Sequence, residues 1–172
     1  RGIVEAHLHE APLDITAKSD PAAWAAPLEA TLLPTGTLRR PPGGIITDLP
    51  GFAEGAWWVQ DLAASLPAKL FGDLAGKRVY DLCAAPGGKT AQLVAQGAAV
   101  TAVDRSAKRL ERVRENLSRL NLSAEILAAD VASWNPDQPA DAVLLDAPCS
   151  ATGAIRRHPD ILRVKTPEDI GK

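Results

Sequence analysis

Hydrophobic and polar positions change rhythm along this chain. From Lys77 onward, short apolar runs alternate with amphipathic ones. "KRVYDLC" (77–83), "AAVTAVD" (98–104), "AEILAAD" (124–130) and "DAVLLDAP" (141–148) are brief and apolar, and predict four strands. Between them, "GGKTAQLVAQG" predicts a helix closed by Gly97, and "SAKRLERVRENLSRL" a longer one. In the longer helix Leu110, Val113, Leu117 and Leu120 recur at helical spacing, so one face is buried. Apolar strands alternating with helices imply an α/β fold with a parallel sheet covered on both faces. Each strand ends near an acid: Asp81, Asp104, Asp130 and Asp146. Ligands of such sheets bind beyond the carboxyl ends of the strands, where these acids gather.

Residues 1–72 lack that rhythm and predict a small α+β segment ahead of a core at 73–172. "APLDITAK" predicts a strand, "DPAAWAAPLEA" a short helix, and "TGTLRRPPGGIITDLPG" strands broken by turns. Arg39 and Arg40 offer charge to a polyanion, although a packing subdomain with two solvated arginines is the simpler reading. "EGAWWVQDLAASL" leads into the core, with Trp57 and Trp58 expected to pack rather than to stack on bases. Composition narrows the classes further. The 172 residues are 46% apolar and 23% charged, ordinary for one globular domain with a small companion. No stretch has the length and apolarity of a membrane span, and a net charge of −2 excludes a globally basic nucleic-acid coat. The two cysteines, Cys83 and Cys149, make neither a disulfide scaffold nor a zinc cluster, which suits a reducing, cytoplasmic setting without metal. There is no methionine, and "KTPEDIGK" carries a helix start (Thr166 as cap, then Pro167, Glu168 and Asp169), so the expectation is a chain cut off after that helix begins.

"DLCAAPGGKT" (81–90) is the first motif with chemical content. A phosphate loop of Walker type needs glycine five residues before Gly88, where Cys83 stands, and Pro86 interrupts the loop. A Gly-x-Gly-x-x-Gly fingerprint does not fit either. What remains is a strand end, a tight turn at Gly87 and Gly88, and a helix start that attracts a carboxylate as readily as a phosphate. Asp104 lies 17 residues after Gly87, near the spacing at which an acid meets ribose hydroxyls. Asp130 is placed to accept from an adenine amino group. A ligand with carboxylate, ribose and adenine but no phosphate is S-adenosylmethionine; other nucleotides remain the alternative. A plainer reading makes Asp104 and Asp130 polar strand ends that cap the next element.

"DAPCSATG" (146–153) follows the fourth strand. It lacks the aromatic residue with which amino-directed methyltransferases stack on a base, and has Cys149 instead. Pyrimidine C5 needs a thiolate added at C6 before it can act as nucleophile. Asp146 is placed to hold the N3 edge of such a base. The alternative for Cys149 is a small buried hydrophobe.

Together "LPGFAEGAWWVQDLAASL", "DLCAAPGGKT", "AVDRSAKRLERVRENLSRL", "AAD" and "LLDAPCSATGAIRRHPD" resemble the RNA (cytosine-5) methyltransferases of the Sun/RsmB type over about residues 45–165. The resemblance implies a Rossmann-like methyltransferase fold, S-adenosylmethionine as donor, and a cytosine of small-subunit ribosomal RNA as target. It assigns the cofactor loop to Cys83, Ala84, Ala85, Pro86, Gly87, Gly88 and Lys89, the ribose to Asp104, the adenine side to Asp130, and the methionine end with the target base to Asp146. Arg109 supports the loop. Cys149 takes the place of the cysteine that helps release product, while the attacking cysteine of the family lies in a Thr-Cys motif that this sequence does not contain. The expectation is therefore a fragment holding most of the cofactor site, with the main nucleophile beyond Lys172, unable to complete the reaction alone.

Past the second motif, Arg156, Arg157 and His158 flank the expected pocket, and the two arginines are assigned to RNA phosphates. The basic residues of the helix after Asp104 read as a solvated face, with Glu115 and Arg119 as an i,i+4 pair. Two other functions stay open: a DNA cytosine-5 methyltransferase with Cys149 as nucleophile, and a non-catalytic RNA-binding ribosome assembly factor.

Overall fold

The computed structural model describes residues 10–149, 160–164 and 166, organised around two sheets. The first is antiparallel, in the order β2-β3-β1-β4, from β1 (Leu13–Ala17), β2 (Thr31–Leu32), β3 (Leu38–Arg40) and β4 (Trp57–Val59). Ile15, Leu28, Leu38 and Trp57 form its buried core. The helix expected over 20–30 is shorter, α1 (Pro21–Ala25), because Pro27 has no N–H to carry the ladder onward. Arg39 is engaged within the fold. Its guanidinium donates to both oxygens of buried Asp14 at 2.7 and 2.8 Å, and Asp14 also accepts from Leu62 N at 3.0 Å. Arg40 donates to the carbonyls of Leu28 and Gly43. Both arginines brace the fold rather than standing simply solvated.

After α2 (Leu62–Lys69), the second sheet is parallel, in the order β7-β6-β5-β8: β5 (Arg78–Leu82), β6 (Ala99–Asp104), β7 (Glu125–Ala128) and β8 (Ala142–Leu145). Each lies within a run that the hydrophobic pattern marks as a strand. α3 (Gly88–Ala95) and α4 (Ala107–Arg119) join them. Leu110, Val113 and Leu117 are the buried stripe of α4, and burial of each is worth about 1.5–3 kcal/mol.

Among the described residues, helices cover one face of the sheet. The connections β5-to-β6 and β6-to-β7 step in the same direction, so crossovers of one hand place α3 and α4 on one face. The connection from β7 to β8 steps back across the sheet, and its Trp134 meets Tyr80 edge-on at 5.0 Å, with the Tyr80 hydroxyl donating to Gln138 O. That connection contains no helix, and Val143 and Leu145 remain exposed among the described residues.

β4 binds the two sheets together. Its side chains alternate, so Trp57 enters the first core while Trp58 joins Leu110, Val113, Leu117 and Leu120 against α4. Arg119 does not pair with Glu115. It lies 4.1 Å from the centre of the Phe52 ring and donates to the carbonyls of Phe52 and Trp57. Lys18 Nζ donates to Leu120 O at 2.8 Å, satisfying an end carbonyl of α4.

Candidate cofactor site

The strand order reverses between β5 and β8, and the cleft opens there. β5 ends as Cys83 turns into the left-handed region, at φ +62°. Gly87 at φ +100° caps α3, and a Cβ added there would stand 3.1 Å from Val113 Cγ1, so the loop presses directly on α4. Ala85 is gripped from both sides of its backbone: its N–H donates to Asp104 Oδ2 at 3.2 Å and its carbonyl accepts from Arg109 Nη2 at 2.6 Å. Asn116 Nδ2 donates to Pro86 O at 3.0 Å. The loop is thus shaped by α4 before any ligand arrives.

The cleft holds about 190 Å³, and its polar lining is Gln60, Asp61, Asp81, Cys83, Lys89 and Asp146. Ala84, Ala85, Pro86 and Gly88 complete the loop side. Asp81 is fully buried. Its Oδ2 accepts from Thr90 Oγ1 at 2.5 Å, while Oδ1 has no hydrogen-bond partner among the described residues. Burial pushes this carboxyl up to about 6; the Thr90 bond and Lys89 pull it down, and Asp146 pushes it up. Lys89 Nζ reaches across from α3 to Asp146 Oδ2 at 2.8 Å. The Cys83 thiol is pushed up by burial first and by Asp104, against the pull of Arg109. A protonated thiol at this position lines a pocket rather than attacking from it.

Of the expected site residues, the structure gathers Cys83–Pro86, Gly88, Lys89 and Asp146 around the cleft. Gly87 and Arg109 stand behind it. Asp104 is buried, with Oδ1 accepting from Ser106 N at 2.9 Å and Oδ2 held by Ala85 N and Arg109. Asp130 is exposed, and its Oδ1 accepts from Ala132 N at 2.9 Å. Each carboxylate accepts from the backbone N–H two residues on, as in an Asx-turn, while Ser106 caps α4, and neither acid lines this cleft. Cys149 is exposed in the segment after β8, also outside the cleft lining, and neither cysteine is in a disulfide. Arg156, Arg157 and His158 lie outside the described residues, as does the helix expected after Thr166.

Sequence reasoning missed the wall supplied by Val59, Gln60, Asp61 and Ala64. Alternation along "WWVQ" held the signal: with Trp57 facing the first core, period two sends Trp58 and Gln60 to the other side.

Residues 72–172 match the family described as 16S rRNA methyltransferase RsmB/F, over more than half of the chain. The chain belongs to the RsmB/F family. Ribosomal RNA small subunit methyltransferase B of Pseudomonas syringae pv. tomato is 55% identical over 131 residues, covering 73% of this chain and 29% of that protein. The counterpart from Erwinia tasmaniensis is 42% identical over 96% of this chain and 39% of its own length. The chain thus spans well under half the length of these relatives. The crystal structure of PH0851 superposes with a TM-score of 0.88 over 97% of this chain and 42% of that one, at 23% identity, and shows the fold. NSun6 from Pyrococcus horikoshii, crystallised with SFG, gives a TM-score of 0.63 at 29% identity over 75% of this chain and 34% of its own. RsmB/F members are Rossmann-like, S-adenosylmethionine-dependent methyltransferases. Among the described residues there is no metal-holding cluster and no helix long and apolar enough to cross a membrane.

Proposed function

We propose that the β5–β8 cleft holds S-adenosylmethionine, and that the protein carrying this chain methylates C5 of a cytosine in small-subunit ribosomal RNA through a cysteine adduct. The observation that carries the donor reading is Asp81. A buried carboxylate with one oxygen unpartnered, facing a cleft, fits a ligand ammonium, and the methionine end of the donor carries one. The start of α3 and Lys89 suit the neighbouring carboxylate. When bound, the donor supplies an electrophilic methyl group on sulfonium.

The chain's own residues do the rest. Asp104 and Arg109 hold the loop in shape, and the ribose and adenine extend beyond the cleft lining toward Asp104 and Asp130. Asp146, exposed at the end of β8, meets the N3 edge of the target base after exchanging its bond with Lys89. Cys149 sits just beyond Asp146, where the product-releasing thiol is expected. The names of the relatives support small-subunit RNA as substrate. Residues 156 and 157 are proposed to meet its phosphates, which fix register without reading sequence.

Calorimetric titration of the chain with S-adenosylmethionine, S-adenosylhomocysteine and ATP tests the donor site. Saturable binding of the first two and none of ATP is the expected result. A preference for ATP overturns the reading.

A further inference from the structure

The wall that the first sheet lends to the cleft is backed by a buried relay of side chains. Trp58 Nε1 donates to Gln60 Oε1 at 3.0 Å, Gln60 Nε2 to Gln92 Oε1 at 3.0 Å, and Gln92 Nε2 to Ser65 O at 2.8 Å. All four residues are buried. The relay therefore ties β4, α2 and α3 together. Every bond runs in the same donor-to-acceptor direction, so reversing either amide would bring like groups face to face. Two apolar surfaces meeting here would slide at small cost. Buried amides do not, because a shift of about an ångström leaves largely desolvated donors and acceptors unpaired.

The position that the relay defines is that of the cofactor helix. Gln92 lies two residues after Thr90, which bonds Asp81, and three after Lys89, which bonds Asp146. A Cβ on Gly88 would stand 4.0 Å from both Gln60 Nε2 and Trp58 Cδ1, so the relay also lies against the loop glycine. Gln60 itself faces the cleft.

We propose that Gln60 and Gln92 are positioning residues of the donor site: their amide relay sets the distance between the first-sheet wall and the start of α3, making residues 57–65 a structural half of the cofactor pocket. The inference rests on the donor reading of that cleft.

The test is calorimetry with S-adenosylhomocysteine on the 172-residue chain and its Gln60→Met, Gln92→Met and double variants. Each is titrated well below its own melting midpoint, so that only folded protein is compared. Asp81→Asn serves as the control for the donor reading. A relay acting as a unit predicts that each single variant binds roughly tenfold or more weakly and that the double variant is no worse than the weaker single. Affinities within twofold of the parent at lowered melting temperatures would reduce the relay to scaffolding and overturn the proposal, with the donor reading intact as long as Asp81→Asn still weakens binding. Absence of binding by the parent chain would strike the donor reading itself. Should Gln92→Met fail to fold, Gln60→Met, placed at the cleft wall, carries the test by the same criterion.

Discussion

At the scale of single residues, the site turns on groups held away from their ordinary states. Asp81 ordinarily titrates near 3.8 and is raised to about 6 by burial. The folded carboxyl therefore keeps its proton through the window in which the unfolded one has lost it, and folding takes up a proton there. This group makes the fold less stable as pH rises from about 4 to about 6, and leaves a constant penalty above, on the order of 3 kcal/mol. Asp81→Asn, which keeps the Thr90 hydroxyl bonded, is expected to be more stable than the parent at pH 8 and level with it near pH 4. Urea melts at the two pH values check this, and a pH-independent difference would contradict it. The cysteines divide by access. Cys83 is half-buried with a raised thiol pKa, while Cys149 is exposed. Iodoacetamide at pH 8 is expected to modify Cys149 first, and S-adenosylhomocysteine to slow Cys83 further. Mass spectrometry reads both rates; equal rates with and without ligand would remove Cys83 from the cleft.

At the scale of elements, what the sequence made legible follows from how far apart the deciding residues lie. β5 to β8 and α3 to α4 were readable because each carries its own periodicity, and Asp81 and Asp146 fell at strand ends that the sheet brings together. β2 and β3 gave weaker signals, since two or three residues cannot show a period. The roles of Arg39 and Arg119 were invisible, because their partners, Asp14, Phe52 and Trp57, come from elsewhere in the fold. Charge alone made them look solvated. The side on which Gln60 lies followed from the alternation along "WWVQ", but that this side forms a cleft wall depends on the loop 83–88 brought against it from elsewhere in the chain. Gly55 marks the tightest of these junctions: at φ +65°, an added Cβ would stand 2.0 Å from Arg119 O. Gly55→Ala must push the turn off α4, at a cost of roughly 3 kcal/mol or more. The expected readout is a clearly lowered melting temperature, and one within a degree of the parent would show that this junction yields freely.

At the scale of the whole molecule, two sheets share one strand face and one cleft. The Rossmann-like sheet supplies the loop, the buried acid and the reversal of strand order. The antiparallel sheet supplies the opposite wall through β4 and α2. A donor site built this way is set by the junction as much as by the loop motif. The most direct test is a crystal structure of the chain with S-adenosylhomocysteine. The ligand's amino nitrogen is expected within hydrogen-bonding distance of Asp81 Oδ1, between the ends of β5 and β8. An amino group seated elsewhere, with that oxygen still unpartnered, would contradict this placement.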